Sequence, residues 1–381
     1  MTHRILILDN ELDMGGKEKS LYQFIARADR NRFRFAVCCL KEGGYFKQSL
    51  SAMGIPFYDG LLRHRFDALA FKSLEQVLRT EKTELVYTFS HPNTVIFSYL
   101  AKMRGLVERV VVSYHAMGTE TGDRQVAPYL LPLLRRMDAL LAVAEIQKDH
   151  LVNVERLPRE KITVIHNGVD TEKYRPAIDE ERARVRHSWG ADQGDIVLVT
   201  VASLKPLKRV DALLRAAAAL RGTGAPIRVV LIGDGPDRGA LELLARDLGI
   251  AGHVVFTGVR DDVELLLRGA DVFVLSSRTE AFPNVVLEAM ATGLPVVTTE
   301  VGSVREMVEP ERSAIVVPPG DDAALAVAIG RLVADASLRG AFGRRGRAIV
   351  ESRFRFETTC AEREALFEEL LARAPVSGVN A

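Results

Sequence analysis

The 381-residue sequence predicts an α/β chain of two Rossmann-like, doubly wound parallel-sheet domains in tandem, facing a cleft. Short β-rich apolar runs recur roughly every 25 to 30 residues, each followed by a segment of helical period. The runs are apolar on both faces, the pattern of parallel strands joined by helical crossovers that cover both sides of the sheet. The rhythm stops once, at Asp170, and then restarts, and the length is that of two domains.

Taken in order, strands are expected at residues 4–8, 33–40, 55–58, 85–89, 109–113, 139–143 and 162–165. Residues 170–195, DTEKYRPAIDEERARVRHSWGADQGD, hold charges and turn formers without a strand signal, and read as a linker with an entry helix. Strands resume at 196–202, 228–232, 254–256, 272–275, 295–298 and 315–317. A closing amphipathic helix over 356–373 places Leu366, Phe367, Leu370 and Leu371 on one stripe. The expected domains are 1–170 and 171–354, with 355–381 as a C-terminal helix free to cross back onto the first.

Composition narrows the function. Hydrophobic residues at 48% and charged residues at 27% exclude disorder as the main state. Lys plus Arg number 51 against 50 for Asp plus Glu, so no global field gathers nucleic acid. Up to Asp170 the count is 24 basic to 20 acidic, and beyond it 27 to 30; this mild asymmetry reads either as solvated charge or as a first domain that touches an anionic surface. Cys38, Cys39 and Cys360 read as buried, reduced thiols. No stretch reaches the ~18 consecutive apolar residues of a membrane span, and the acidic turn in MTHRILILDNELD is foreign to a signal peptide. A cytoplasmic protein is expected.

In open parallel sheets, ligands bind beyond the carboxyl ends of the strands, so the chemistry is sought in strand-to-helix loops. In DNELDMGGKEKS, Gly15 and Gly16 precede a helix starting near Lys17; the turn is either structural or a seat for a phosphate on free helix amides. The dinucleotide fingerprint and the Walker loop are both absent, which disfavours a nicotinamide oxidoreductase and an ATPase. His115, in SYHAMG, follows a buried strand and is either an end-of-strand hydrogen-bonding residue or a partner for a ligand hydroxyl. The loop SLKPLKR brings Lys205, Lys208 and Arg209 to a helix start, where cations oppose the helix dipole unless an anion compensates. The stretches from Ile232 through Gly233 to Pro236 and from Phe256 through Thr257 to Gly258 are weaker small-residue loops at strand ends.

The segment SSRTEAFPNVVLEAMATGLP says most. A helix is expected from Asn284 to just before Gly293, with Glu280 in the loop and Glu288 about one turn into the helix. Pro283 loses nothing at the helix start, and the amides of Asn284, Val285 and Val286 open toward an anion. Carboxylates repel phosphate but accept from hydroxyls, so the two acids suit a sugar-rich part of a ligand and the amides its phosphate. An ordinary acidic helix start is the plainer alternative.

EAFPNVVLEAMATGLPVV resembles the E-x7-E signature of the retaining glycosyltransferases of family 4, which have the GT-B fold. Gly15-Gly16, SYH, HNGVD, GDGP and FTG extend the resemblance, in order, over nearly the whole chain. It implies an N-terminal acceptor-side domain and a C-terminal donor domain. By that resemblance Glu280 would hold the donor sugar's hydroxyls, Glu288 the ribose, and the amides of Phe282, Asn284 and Val285 the sugar and distal phosphate. Lys208 would neutralise the diphosphate, Gly16 would let its loop approach it, His115 would contact the transferring sugar, and Thr257 to Val259 would frame the base. The family's arginine five residues before the lysine is here Ser203, and Lys205 is expected to supply the missing charge.

The resemblance implies transfer of a sugar from a nucleoside diphosphate, UDP ahead of GDP, to a hydroxyl of a glycan, lipid-linked or small-molecule acceptor, with retention of configuration. An epimerase or phosphorylase of the same architecture, or a non-catalytic sugar-nucleotide binder, is the alternative. No cofactor or metal is expected: Asp261-Asp262 and Asp321-Asp322 lie at helix starts, where acids are favoured anyway. Segments 61–66 and 129–136, apolar and basic together, read as either helix faces or contacts to an anionic membrane.

Overall fold

The computed structural model describes residues 2–12, 15–62, 67–115 and 126–374. The chain divides into two compact units, Met1–Asn167 with Thr358–Ala381, and Gly168–Glu357.

The first unit holds β1 (His3–Asp9), β2 (Phe33–Cys39), β3 (Phe57–Tyr58), β4 (Leu85–Phe89), β5 (Arg109–Ser113), β6 (Ala139–Ala142) and β7 (Ile162–Val164). All pair in parallel, in the order 3-2-1-4-5-6-7. Central strands such as β1 are buried on both faces, Ile5 to Leu8 being at most 2% exposed, which is why they read as continuous apolar runs. β3 is shorter than residues 55–58 suggest. It is an edge strand, and Pro56 has no N–H to give; its carbonyl accepts from Val37 N at 2.9 Å instead. Cys38, Cys39 and Cys360 are buried free thiols, and burial pushes Cys38 up to about 12.

The C-terminal helix, Phe356–Ala372, packs on this unit through Phe367, whose ring lies 5.4 Å from Tyr87 and 6.0 Å from Phe24. Buried Arg109 caps its end, donating from Nε to the Leu370 carbonyl at 2.7 Å.

The second unit repeats the plan with β8 (Ile196–Val201), β9 (Ile227–Ile232), β10 (Val254–Gly258), β11 (Val272–Leu275), β12 (Val296–Thr299) and β13 (Ala314–Val317), ordered 10-9-8-11-12-13. Residues 170–195 hold the helix Asp179–Ser188, whose Arg182 and Arg186 both reach Asp271, at 2.5 and 2.9 Å. The strand order reverses between β1 and β4 in one sheet and between β8 and β11 in the other. Loops leaving the carboxyl ends of neighbouring strands part at such points, and the crevice they leave is where ligands enter.

Candidate active site

In the second unit, the loop after β8 carries Lys208 at the end of a 3-10 turn, Pro206–Lys208, and the loop after β11 carries Glu280. Lys208 Nζ lies 2.6 Å from Glu280 Oε1, and Ser277 Oγ donates to the same oxygen at 2.7 Å. Backbone bonds zip the two loops together: Arg278 N donates to Leu207 O at 2.8 Å, and Ser276 Oγ to Lys208 O at 3.0 Å. The loop after β12 closes in from the other side. Thr299 Oγ1 donates to Ser277 O at 2.6 Å, and Ser303 donates from both N and Oγ to Ala281 O, at 3.1 and 2.9 Å. Gly302, at φ +50°, makes that approach possible, since a Cβ there would stand 2.2 Å from the Glu280 carbonyl oxygen. Three loops thus fix one half-buried ion pair at the switch point.

The helix Asn284–Ala291 follows with Pro283 as its N-cap and no side chain capping it. Val286 N donates to Pro283 O at 2.9 Å, so this amide is turned into the helix's own first turn and does not open outward as the sequence suggested. Asn284 and Val285 are half-buried at the opening; Phe282 and Pro283 are buried, the Phe282 ring 6.3 Å from Phe354. Glu288 is buried and hydrogen-bonded to the Tyr174 hydroxyl, whose pKa is raised by burial first and then by Glu288.

Gly233, at φ +128°, lies where a Cβ would stand 2.0 Å from Ala202 O, and its N–H donates to Gly258 O at 2.9 Å. These contacts stitch together the carboxyl ends of β8, β9 and β10. Beside them Thr257 Oγ1 donates to Gly258 O at 3.0 Å, and Val259 is 60% exposed. Ser203 and Lys205 are exposed. Lys205 lines a groove of about 600 Å³ with Arg209, Arg215, Asp237 and Asp247, to which Lys208 does not contribute. Lys208 is turned to Glu280 instead.

In the first unit, Thr88 Oγ1 donates to Leu8 O at 2.8 Å across the switch between β1 and β4. The helix Gly16–Arg27 opens there with extended Gly15 as its N-cap. Lys17, one residue inside, reaches Asp9 at 2.7 Å and Glu18 at 3.1 Å and sits 4.5 Å from the Phe89 ring. Burial works against its charge, but Asp9 and Glu18 outweigh that and raise its pKa, so Lys17 is a fixed cation. Sequence reasoning passed over both Lys17 and Asp9, although Lys17 adjoins the glycine pair.

His115 keeps partial solvent contact. Its Nε2 lies 2.9 Å from Ser113 Oγ and its ring 5.4 Å from Phe89. Burial, then the nearby Arg363 and Lys17 charges, pull its pKa down to about 3. The imidazole is neutral at physiological pH, a hydrogen-bonding group and not a cation.

Three of the four paired aspartates have other partners. Asp262 takes Arg260 at 2.8 and 2.6 Å, Asp321 caps the helix Asp322–Ala334 by accepting from Ala324 N at 2.8 Å, and Asp322 takes Arg209 at 2.9 Å. In segment 129–136, Leu130, Leu131 and Leu134 enter the core, leaving Tyr129, Arg135 and Arg136 exposed. Leu61 and Leu62 pack against the same core, while residues 63–66 lie outside the described residues. Among the described residues, no helix is long and apolar enough to cross a membrane.

Two parallel-sheet units of this order define a GT-B glycosyltransferase fold. The structure resembles that of Anabaena HepE in complex with UDP-glucose, with a TM-score of 0.83 and 22% identity over 96% of this chain and 99% of that one. It also resembles WaaG, a glycosyltransferase involved in lipopolysaccharide biosynthesis, with a TM-score of 0.75 and 16% identity over 98% and 100% of the two chains. Residues 14–173 match the model of Glycosyltransferase Family 4, and residues 181–349 that of Glycosyl transferases group 1. Among named relatives, N-acetyl-alpha-D-glucosaminyl L-malate synthase of Bacillus anthracis is 27% identical, over 80% of each chain. D-inositol 3-phosphate glycosyltransferase of Saccharomonospora viridis is 32% identical, over 62% of this chain and 56% of the relative. The chain belongs to the family-4 glycosyltransferases, group 1 type.

Proposed function

We propose that this glycosyltransferase moves a sugar, with retention of configuration, from a nucleoside diphosphate, UDP ahead of GDP, to a hydroxyl of a glycan, lipid-linked or small-molecule acceptor. The Lys208–Glu280 pair beside an uncapped helix opening carries the reading. A nucleotide-sugar offers phosphate oxygens to the ammonium and the helix amides, and hydroxyls to the carboxylate. The UDP-glucose held by HepE supports the donor class, and the L-malate and D-inositol 3-phosphate in the relatives' names support an acceptor hydroxyl.

A carboxylate given over to binding the donor sugar's hydroxyls, as Glu280 is in this reading, is poorly placed to act as a nucleophile. Retention then follows from same-face departure and attack. The bond from the anomeric carbon to the leaving phosphate oxygen breaks, that oxygen accepts the acceptor's proton, and the acceptor oxygen bonds to the anomeric carbon. The enzyme's share is to position the reactants and to stabilise the departing diphosphate with Lys208 and the helix amides. With that charge in place, a divalent metal is dispensable, and EDTA is expected to leave turnover intact. In the first unit, fixed Lys17 and neutral His115 offer a cation and a hydrogen-bonding group to hydroxylated substrate.

Contact with an anionic membrane is a further part of the proposal, carried by exposed Arg135 and Arg136 and electrostatic in kind, since the neighbouring leucines are in the core. Failure to co-sediment with anionic vesicles at low salt rejects it. The central test is a panel of UDP- and GDP-sugars scored by slow hydrolysis without acceptor. Consumption of one donor, lost in Lys208→Ala, supports the reading; a panel left intact by the wild-type protein contradicts it.

A further inference from the structure

Tyr174 lies on the turn that opens the second unit and is 1% exposed, with its hydroxyl hydrogen-bonded to the Glu288 carboxylate. The turn is held from several sides. Asp170 accepts from the amides of Glu172 and Lys173 through Oδ1, at 3.0 and 2.9 Å, and from Tyr174 N through its carbonyl at 2.9 Å. Arg347, on the helix Ala336–Arg353, donates to the carbonyls of Thr171 at 2.9 Å, Tyr174 at 2.6 Å and Ala291 at 2.5 Å. Ala291 is the last residue of the helix that carries Glu288. One guanidinium therefore ties the Tyr174 turn to the glutamate helix. Gly343 and Gly346 let the two helices come close: a Cβ at 343 would stand 2.1 Å from Gly293 O, and one at 346 would stand 3.3 Å from Met290 Cγ.

A phenylalanine would fill the same ring-shaped space, so packing does not call for the hydroxyl, and burying one is unfavourable unless it is paired. What the hydroxyl adds is direction. A phenol donates and a carboxylate accepts, so the bond restricts rotation of a side-chain torsion that is otherwise broad. Burial first, then Glu288, with Glu264 and Asp170 adding to it, keeps the phenol protonated and able to donate.

We propose that Tyr174 is a positioning residue that fixes the Glu288 carboxylate to receive the two vicinal hydroxyls of the nucleotide ribose. This rests on the reading of Glu288 as the ribose-binding acid. Without the hydroxyl the carboxylate turns, and affinity for the diol falls while the contacts to phosphate stay. The effect appears in preference for ribose over 2′-deoxyribose, a quantity that a purely structural role leaves unmoved.

The test is calorimetric binding of UDP and 2′-deoxy-UDP to the full chain, with the guanosine pair run alongside and the tighter base scored, for wild type, Tyr174→Phe, Glu288→Gln and the double variant. The wild type is expected to prefer the ribonucleotide by about tenfold. Glu288→Gln removes the preference, Tyr174→Phe cuts it at least about threefold with 2′-deoxy affinity unchanged, and the double variant matches Glu288→Gln. A full preference kept by Tyr174→Phe while Glu288→Gln loses it overturns the role of Tyr174 alone. A preference absent from the wild type, or untouched by Glu288→Gln, overturns the ribose reading and this proposal with it. Thermal unfolding checks each variant, and Tyr174→Met, apolar and without a donor, repeats the measurement if Tyr174→Phe does not fold.

Discussion

Lys208 and Glu280, 72 positions apart in the chain, close a 2.6 Å ion pair across the point where the second sheet reverses its strand order. The pair is partly exposed, so its net contribution to stability is small, within about 1 kcal/mol. Its value is in readiness, because a diphosphate can take the ammonium and a sugar the carboxylate. Lys208→Ala is therefore expected to lower kcat by about a hundredfold or more while the unfolding temperature barely moves; steady-state kinetics with differential scanning calorimetry checks both.

Lys205 belongs to the same loop but lines a separate groove with Asp237 and Asp247. Against the sequence expectation that Lys205 supplies the charge missing at Ser203, Lys205→Ala is expected to cost much less donor turnover than Lys208→Ala. Equal losses would show that both charges reach the leaving group.

Ser277 donates to the same Glu280 oxygen as Lys208. Removing that hydroxyl loosens the carboxylate without discharging it. Ser277→Ala is expected to lower kcat/KM by about three- to tenfold, the scale of one hydrogen bond, and Glu280→Gln by considerably more. Donor titration of the two variants side by side measures the difference.

Gly302 is required on two counts, a positive φ and a carbonyl that a Cβ would meet at 2.2 Å. Gly302→Ala is expected to destabilise the second unit by about 1–3 kcal/mol and to displace Glu280, losing activity at temperatures where the chain is still folded. Activity measured well below the unfolding midpoint separates the two effects.

His115 predicts a pH dependence with a definite sign. An unfolded imidazole takes its proton near 6.5, whereas the folded one holds off to about 3. Between those values the unfolded state binds more protons, so His115 makes stability fall as pH drops through that window, by up to about 1.4 kcal/mol per pH unit. Folding titrations of His115→Gln should show a shallower acid slope. Imidazole NMR of the wild type should show His115 neutral from pH 8 to 5.

Much of this fold is legible in the sequence because parallel strands buried on both faces leave unbroken apolar runs, as β1 and β11 do, and because Gly293 marks where the glutamate helix must stop. The edge strand β3 is less legible, since Pro56 and a single neighbour shorten it. Glu280 and Glu288 stand out by their spacing around a helix start. Their partners do not. Lys208 meets Glu280 only because the chain crosses back from edge strand β10 to lay β11 beside β8, Ser303 is an ordinary loop serine until β12 brings it to Ala281, and Tyr174 sits in a polar linker with no periodicity to betray its burial. In the first unit Asp9 finds Lys17 eight residues on, a contact that local pattern does not encode.

Whether Lys208 and Glu280 grip the donor is decided by a crystal structure of the full chain grown with excess nucleotide-sugar. A diphosphate oxygen is expected within hydrogen-bonding distance of Lys208 Nζ, and a sugar hydroxyl on Glu280. A donor bound elsewhere, with the 2.6 Å pair undisturbed, would contradict it.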